Sequence, residues 1–219
     1  MSSPVEALAT RIDGPVLIQP RVFGDQRGFF AETYRASALA QLGITDAFVQ
    51  DNHSRSELGV VRGMHFSVGE GQAKLVRCAR GSILDVVVDI RRGSPTFGQW
   101  EGHALDDEAM RQLYVPIGFA HGFCVTSEVA DVVYKCSSYY DPEVERGVAY
   151  DDPEVGIEWP ALDLVVSERD AGAPCLSDVA GTLPFSYSAG AQPDRSGRSA
   201  AGTSFRRAPD RRLSGEHRT

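Results

Sequence analysis

Short β-branched segments separated by turn signals are the feature that most constrains how this chain can fold. The clearest segment, residues 83–90, reads ILDVVVDI and lies between two turns, at residues 81–82 and at 92–95. Short strands punctuated by Gly and Pro favour an antiparallel sandwich or barrel over a parallel α/β sheet. We therefore predict a mainly β fold. The further predicted strands are residues 75–80, 97–105, 112–115, 122–126 and 131–138. Helices are predicted only at residues 37–42 and from 167–170.

The charge of the chain divides it into two parts. Residues 186–219 contain seven arginines and three acidic residues, a balance of +4, so the net charge of −8 leaves −8 − 4 = −12 for residues 1–185. We predict one domain over residues 1–185, and a disordered tail over 186–219 that takes no part in the chemistry. An acidic domain argues against nucleic acid as a partner, because binding phosphates needs a broad basic face.

The apolar residues and cysteines exclude further classes. No apolar run approaches the roughly 18 residues of a membrane span, so we expect no membrane partner. The N-terminus lacks the basic end and apolar stretch of a secretory signal, which predicts a cytoplasmic protein. The cysteines are widely spaced and mostly lie in apolar segments, so reduced buried thiols are expected rather than disulfides or a zinc site. They are Cys78, Cys124, Cys136 and Cys175.

A histidine between two cations is the strongest sign of chemistry. His65 follows Arg62 by three residues and precedes Lys74 by nine. A neutral imidazole can accept a proton near pH 7, and fixed cations can stabilise a developing oxyanion. The alternative is a hydrogen-bonded core histidine. The functional interpretation is favoured because a lysine is rarely placed toward a core without an anionic partner.

A second histidine lies in a turn that is typical of cupin barrels. Residues 116–121 read PIGFAH, the PxGxxH pattern, but His65 is followed by Phe66 and Ser67 rather than by another histidine. A two- or three-histidine metal site is therefore disfavoured. His121 is either a hydrogen-bonded barrel histidine or a substrate contact, and the sequence leaves both open.

The acid and aromatic residues leave several roles open. A base histidine needs an orienting carboxylate, and four aspartates are candidates: Asp85, Asp89, Asp131 and Asp170. Tyrosines in residues 134–140 can donate a proton, although most tyrosines in such positions are structural. Residues 21–30, RVFGDQRGFF, form either a plain hairpin or an aromatic platform with Arg27 for a nucleotide.

Nine segments of the chain, in order, carry a resemblance to a known family: RVFGDQRGFFAETY, VQDNHSRS, VVRGMHF, QAKLVRC, DVVVDIRRGSPTFGQW, PIGFAHGF, VVYKCSSYYDP, IEWP and SERD. Taken together, they resemble the dTDP-4-dehydrorhamnose 3,5-epimerase family of cupin-fold sugar-nucleotide epimerases, over about residues 16–179. The resemblance implies a cupin-type antiparallel jelly-roll barrel, or double-stranded β-helix.

The resemblance also implies a role for each matching residue. His65 corresponds to the base, Asp170 to its carboxylate partner, Tyr134 to the acid on the opposite face and Lys74 to the group that stabilises the enolate. Residues implied to bind the substrate are Phe23, Arg27, Glu32, Gln50, Asn52, Arg62, His121 and Tyr140. No cofactor and no metal is implied.

The implied reaction is epimerisation of dTDP-4-keto-6-deoxyglucose at C3, with or without C5, in deoxysugar biosynthesis. A homodimer is implied, with strand exchange that carries Phe23 or Glu32 into the neighbouring pocket. Two positions depart from the family pattern, Met64 and Ser67, and leave a C3-only enzyme as a close alternative. A 3,4-ketoisomerase and a non-catalytic binding module are the remaining alternatives.

Overall fold

Two antiparallel sheets face each other in the computed structural model, which describes residues 5–188. The strands are β1 (Val5–Leu8), β2 (Val16–Pro20), β3 (Val22–Asp25), β4 (Gly28–Ala31), β5 (Gln50–Glu57), β6 (Val60–Ser67), β7 (Lys74–Arg80), β8 (Ser82–Asp89), β9 (Trp100–Asp106), β10 (Gln112–Val115), β11 (Phe119–Val125), β12 (Val129–Cys136), β13 (Glu145–Gly147) and β14 (Val165–Val166). The helices are α1 (Ala36–Gln41), α2 (Glu168–Ala171), α3 (Leu176–Val179) and a 3₁₀ turn (Ala180–Thr182).

The strand order is that of a jelly-roll barrel, which confirms the predicted fold class. The first sheet runs β1-β2-β10-β7-β12-β5, and the second runs β13-β6-β11-β8-β9. β14 adds to the second sheet as a parallel partner of β6, while β3 and β4 pair only with each other as a hairpin.

Alternation along the strands explains the layers. On β7, Val76 and Cys78 point between the sheets into the central core, while Leu75 points outward and packs with Leu39 of α1. Both faces of β7 are covered, and each fully buried Val or Leu stabilises the fold by about 1.5–3 kcal/mol. The period of two along the strand decides which side chains line the interior. Lys74, two residues before Val76, is therefore directed into the barrel.

A second apolar layer covers the outside of the second sheet. Phe66 and Val86 pack there against Leu183 and Phe185, which lie just before the end of the described chain. The backbone N–H of Tyr187 still donates to the carbonyl oxygen of Arg92, at 2.9 Å. The predicted disordered tail falls almost wholly on residues 189–219, which lie outside the described part of the chain.

The predicted elements agree with the structure to within two residues except at two strand starts. One of them is the strand predicted from residue 122, which begins at Phe119. Strand 112–115 and the helix near residues 37–42 are confirmed. The strand predicted to start at residue 97 begins instead at Trp100. Here the Asp89 carboxylate accepts hydrogen bonds from the hydroxyls of Ser94 and Thr96, both at 2.6 Å. This ties residues 94–99 into turns, which Gly98 completes with a φ of +76°.

The structure of residues 5–188 bears on three expectations: reduced cysteines, the absence of a membrane span and the absence of a metal site. All four cysteines are free, and three of them are buried. Within this part of the chain no helix is long and apolar enough to cross a membrane, and no group of three or more metal-ligating side chains comes together.

Candidate active site

His65 and His121 lie opposite each other on neighbouring strands. Their Cα atoms are paired in the β6–β11 register, so both side chains project from the same face, into the barrel. The two strands approach closely beside them: a Cβ on Gly63 would lie 2.5 Å from the Cα of Gly122, and Gly63 has a φ of +145°. Only glycine fits this crossing, which sets the position of His65 relative to His121.

Asp170 is the carboxylate that orients His65. β14 pairs with β6 at Val60 and Val61, and β13 pairs with it from His65 onward, so the N–H of Gly63 lies between the two short partners. Asp170 fills this gap: one oxygen accepts from the Gly63 N–H at 3.2 Å, and the other lies 2.7 Å from His65 Nε2. Of the four candidate aspartates, the structure thus pairs Asp170 with His65.

The N-terminal cap of α2 holds Asp170 in place. Ser167 is the N-cap of this helix, and its hydroxyl accepts a hydrogen bond from the Asp170 N–H at 3.1 Å. This is the common N-cap arrangement, in which a serine oxygen satisfies an otherwise unpaired helix N–H. The predicted start of a helix at residues 167–170 is therefore correct, and it fixes the backbone beneath the carboxylate.

The environment of His65 favours a neutral imidazole. Burial lowers the pKa of His65 below its usual value, and the Asp170 carboxylate opposes this only in part. An ionised carboxylate can only accept hydrogen bonds, so Nε2 carries the proton and donates a hydrogen bond to Asp170. Nδ1 then has a free lone pair that can accept a proton. This is the protonation state that a general base requires.

Lys74 and Tyr134 approach from the other sheet. They lie on the adjacent strands β7 and β12 and face the same interior as Val76. Lys74 is only 9% exposed, and none of the ion pairs among residues 5–188 includes it. Burial lowers the pKa of Lys74 and raises the pKa of Tyr134. At neutral pH the phenol therefore keeps its proton and can donate it.

A cavity of about 500 Å³, here called the front cavity, joins these groups. It holds six of the twelve predicted site residues: His65, Lys74, Tyr134, Asp170, Arg62 and His121. Both oxygens of the fully buried Asp85 lie 3.0 Å from His121 Nε2. His121 is thus a hydrogen-bonded barrel histidine that also lines the cavity, so its two open interpretations are compatible.

The other six predicted residues lie outside the front cavity of their own chain. Gln50 and Asn52 are on β5, where the Gln50 amide bonds to Asn52 at 3.0 Å and accepts from the Tyr140 N–H at 2.8 Å. The remaining three are on or just after the β3–β4 hairpin, where Phe23 is exposed, Arg27 pairs with Asp25 and Glu32 pairs with Arg35.

The sequence did not single out Glu145 and Arg169, which also line the front cavity. Arg169 Nη2 lies 3.3 Å from Glu145 Oε1. The signal for Arg169 was its place beside Asp170 in SERD, whereas Glu145 follows an irregular loop and gave none. Met64 does not line the cavity, because its side chain is fully buried in the outer apolar layer. Ser67 is also outside the cavity lining.

The sequence profile of the dTDP-4-dehydrorhamnose 3,5-epimerase family matches residues 9–178. The chain belongs to this family. Its members are epimerases, so the chain is an isomerase, and the resemblance found in the sequence is confirmed.

Individual members of the family match this chain over most of their own length. The dTDP-4-dehydrorhamnose 3,5-epimerase of Pseudomonas aeruginosa is 49% identical over 175 residues, covering 78% of this chain and 97% of the relative. A dTDP-4-dehydrorhamnose 3-epimerase of Streptomyces niveus is 45% identical over 177 residues, covering 79% and 86%.

A solved relative shows the same fold with a sugar nucleotide bound. The crystal structure of dTDP-6-deoxy-D-glucose-3,5-epimerase from Legionella pneumophila, in complex with dTDP-4-keto-L-rhamnose, matches with a TM-score of 0.82 and 47% identity. The match covers 84% of this chain and 100% of that chain.

Proposed function

We propose that this chain epimerises dTDP-4-keto-6-deoxyglucose at C3 and C5, within deoxysugar biosynthesis. The observation that carries the proposal is the arrangement of one cavity. The dyad of His65 and Asp170 lies on one wall, and Tyr134 and Lys74 lie on the other. The dTDP-4-keto-L-rhamnose in the Legionella relative supports a dTDP-linked keto sugar as the ligand.

The chemistry needs a base and an oxyanion stabiliser. Hydrogens on C3 and C5 are acidic because the C4 ketone can take up the resulting negative charge. His65 Nδ1 removes one of them, while the Lys74 ammonium lies where it can stabilise the enolate oxygen at C4. Two further cations line the front cavity, Arg62 and Arg169. Arg62, which donates a hydrogen bond to the Ser56 hydroxyl at 3.1 Å, is proposed to hold the diphosphate.

Inversion needs a proton donor on the other face of the ring. Tyr134 belongs to the first sheet and His65 to the second, so a sugar between them has one group on each face. Because burial raises the pKa of Tyr134, its phenol is a proton donor at neutral pH. Return of the proton from Tyr134 rather than from His65 inverts the carbon.

The dTDP part of the substrate supplies remote binding energy that positions the ring. We assign this role to Arg62 with His121 inside the cavity, to Gln50, Asn52 and Tyr140 beside it, and to Phe23, Arg27 and Glu32 of the hairpin.

Because those hairpin residues do not line their own cavity, we propose a homodimer in which the β3–β4 hairpin enters the pocket of the partner. The hairpin is paired with no other strand among residues 5–188 and exposes three phenylalanines: Phe23, Phe29 and Phe30. An isolated hairpin of this kind is marginal by itself. The cytoplasmic location stays a prediction from the sequence.

Complementation tests the shared pocket. Phe23→Ala and His65→Asn should each abolish most activity, and mixed dimers should then contain one intact pocket for every two defective chains. Random exchange of subunits predicts recovery of about a quarter of the wild-type activity. No recovery, with mixed dimers demonstrated by mass spectrometry, would show that each chain uses its own hairpin.

A C3-only epimerase is the second candidate, favoured by the 45% identity to the 3-epimerase of Streptomyces niveus. Met64 does not support it, since its side chain packs outside the barrel. NMR of the product formed from dTDP-4-keto-6-deoxyglucose distinguishes the candidates by the configuration at C3 and C5. A carbonyl moved to C3 would indicate a ketoisomerase, and intact dTDP binding without turnover would indicate a binding module.

A further inference from the structure

A second cavity lies behind the catalytic dyad. It has a volume of about 610 Å³ and lies between β13 and residues 172–184; it is here called the rear cavity. The front and rear cavities share four lining residues, His65, Glu145, Arg169 and Asp170. The dyad and the pair of Glu145 and Arg169 thus form a partition that is reached from both sides.

Bound substrate fills the front cavity, so a proton on His65 needs another way to reach solvent. When His65 has taken a proton, it must lose that proton before it can act as a base again. Two inversions in one encounter require this loss while the sugar nucleotide still fills the front cavity. The side chain of His65 is 24% exposed even though its neighbour Asp170 is buried.

We propose that the rear cavity is the route by which the proton taken by His65 reaches solvent while the substrate is bound. This inference rests on the proposed epimerase function. Glu145 lies on the route: its side chain is 17% exposed, it lines both cavities, and its Oε1 lies 3.3 Å from Arg169 Nη2.

The proton balance of the step is simple. The electron pair of the broken C–H bond stays on the substrate as the enolate, and the proton is bound to Nδ1 of His65. The imidazolium gives this proton to water at the edge of the partition, beside the Glu145 carboxylate that lines both cavities, and the N–H electron pair returns to Nδ1. Tyr134 gives its own proton to the opposite face of the carbon and regains one from water before the second inversion. Water is the only co-reactant.

Two small residues keep the inner end of the rear cavity open. A Cβ on Gly147 would lie 3.7 Å from His65 Cδ2 and 3.9 Å from the Cβ of Ala173, and Gly147 does not need a positive φ. The same Cβ would lie 3.2 Å from the carbonyl oxygen of Met64, a tight backbone contact that Ala173→Leu does not share. Gly147→Ala and Ala173→Leu therefore add bulk beside His65 on the rear side. Thr182, an exposed residue of the same cavity on the 3₁₀ turn, offers a matched control, Thr182→Leu.

The test measures how the abstracted hydrogen partitions. Substrate deuterated at C3 and C5 is incubated with enzyme in ordinary water, and NMR follows two initial rates. One is loss of deuterium from recovered substrate that is not inverted, and the other is inversion. Their ratio is used because a direct disturbance of His65 lowers both rates together.

Closing the route leaves the deuteron on His65, so that it returns to the same carbon. We expect Ala173→Leu and Gly147→Ala each to lower the ratio of wash-out to inversion several-fold, and Thr182→Leu to leave it unchanged. An unchanged ratio in folded Gly147→Ala or Ala173→Leu, or an equal fall in Thr182→Leu, would overturn the inference. Wild-type enzyme that neither washes out label nor inverts either carbon would instead contradict the proposed function.

Discussion

Replacing Asp170 by Asn should remove catalysis while leaving the fold intact. The side chains are of equal size, but Asn has one acceptor oxygen where Asp170 has two in use, toward the Gly63 N–H and toward His65 Nε2. The backbone donor of Gly63 cannot change, so the amide oxygen faces Gly63 and the NH₂ group faces Nε2. His65 must then carry its proton on Nδ1, the atom that should accept one from the substrate.

The size of the effect follows from this tautomer. In a Ser-His-Asp triad the corresponding change lowers kcat about 10⁴-fold, which equals about 5.4 kcal/mol at 1.36 kcal/mol for each factor of ten. We expect a loss of this order in the rate of epimerisation, measured by NMR at saturating substrate, with a melting temperature close to that of the wild type.

Ser167→Ala is the matched control for Asp170→Asn. It removes the cap of α2 but leaves both hydrogen bonds of the Asp170 carboxylate in place, so it should cost about 1 kcal/mol of stability and less than a tenfold loss of kcat. If Asp170→Asn kept kcat within tenfold of the wild type, the tautomer argument would be refuted.

Four further predictions concern neighbouring groups and pH. Lys74→Met should abolish turnover yet raise the melting temperature, because it removes a buried ammonium without an ion pair; a lower melting temperature would contradict this. Tyr134→Phe should slow inversion by about 10²–10⁴-fold while label exchange at C3 continues, and equal loss of both would count against Tyr134 as the acid. Activity should fall with decreasing pH only through a pKa below the usual 6.5 of His65, as the base becomes protonated; a kcat/KM profile with a higher acid limb would disagree. Asp131→Asn should lower stability at neutral pH, and the difference from wild type in urea titrations should narrow below pH 3.8 and vanish below about 2, because the hydrogen bond from Arg55 holds the pKa of Asp131 at about 2.

Local patterns in the sequence were sufficient to predict an antiparallel sandwich or barrel, and the family resemblance specified the cupin-type jelly roll. The β-branched segment at residues 83–90 became β8, and the PxGxxH turn led into β11, as expected for a cupin barrel. The strand predicted at residues 75–80 became β7, which begins one residue earlier, at Lys74. These features depend on a few neighbouring residues, which is why one sequence reveals them.

The choice among the four aspartates needed the three-dimensional structure. Asp89 binds the loop of Ser94 and Thr96, Asp131 pairs with Arg55, and Asp85 bonds to His121. Nothing local distinguishes them from Asp170. From the residues alone Asp170 stayed one of four, and only the family resemblance singled it out.

Two parts of the site, the short strands β13 and β14 and the rear cavity, have no local pattern in the sequence that predicts them. β13 and β14 are three and two residues long, too short for a periodic pattern, yet their separate pairing with β6 leaves the Gly63 N–H for Asp170. The rear cavity is also invisible in the sequence, since β13 and the segment after α2 form it together.

Solvent deuterium at C3 tests the central claim most directly, because it reports proton removal whatever the final configuration. Wild-type enzyme and His65→Ala are incubated with dTDP-4-keto-6-deoxyglucose in deuterated water, and NMR measures label at C3 and C5 separately. The account predicts label at both carbons with the wild type and none with His65→Ala. Label that enters at C3 at the wild-type rate in the folded His65→Ala variant would contradict the assignment of His65 as the base.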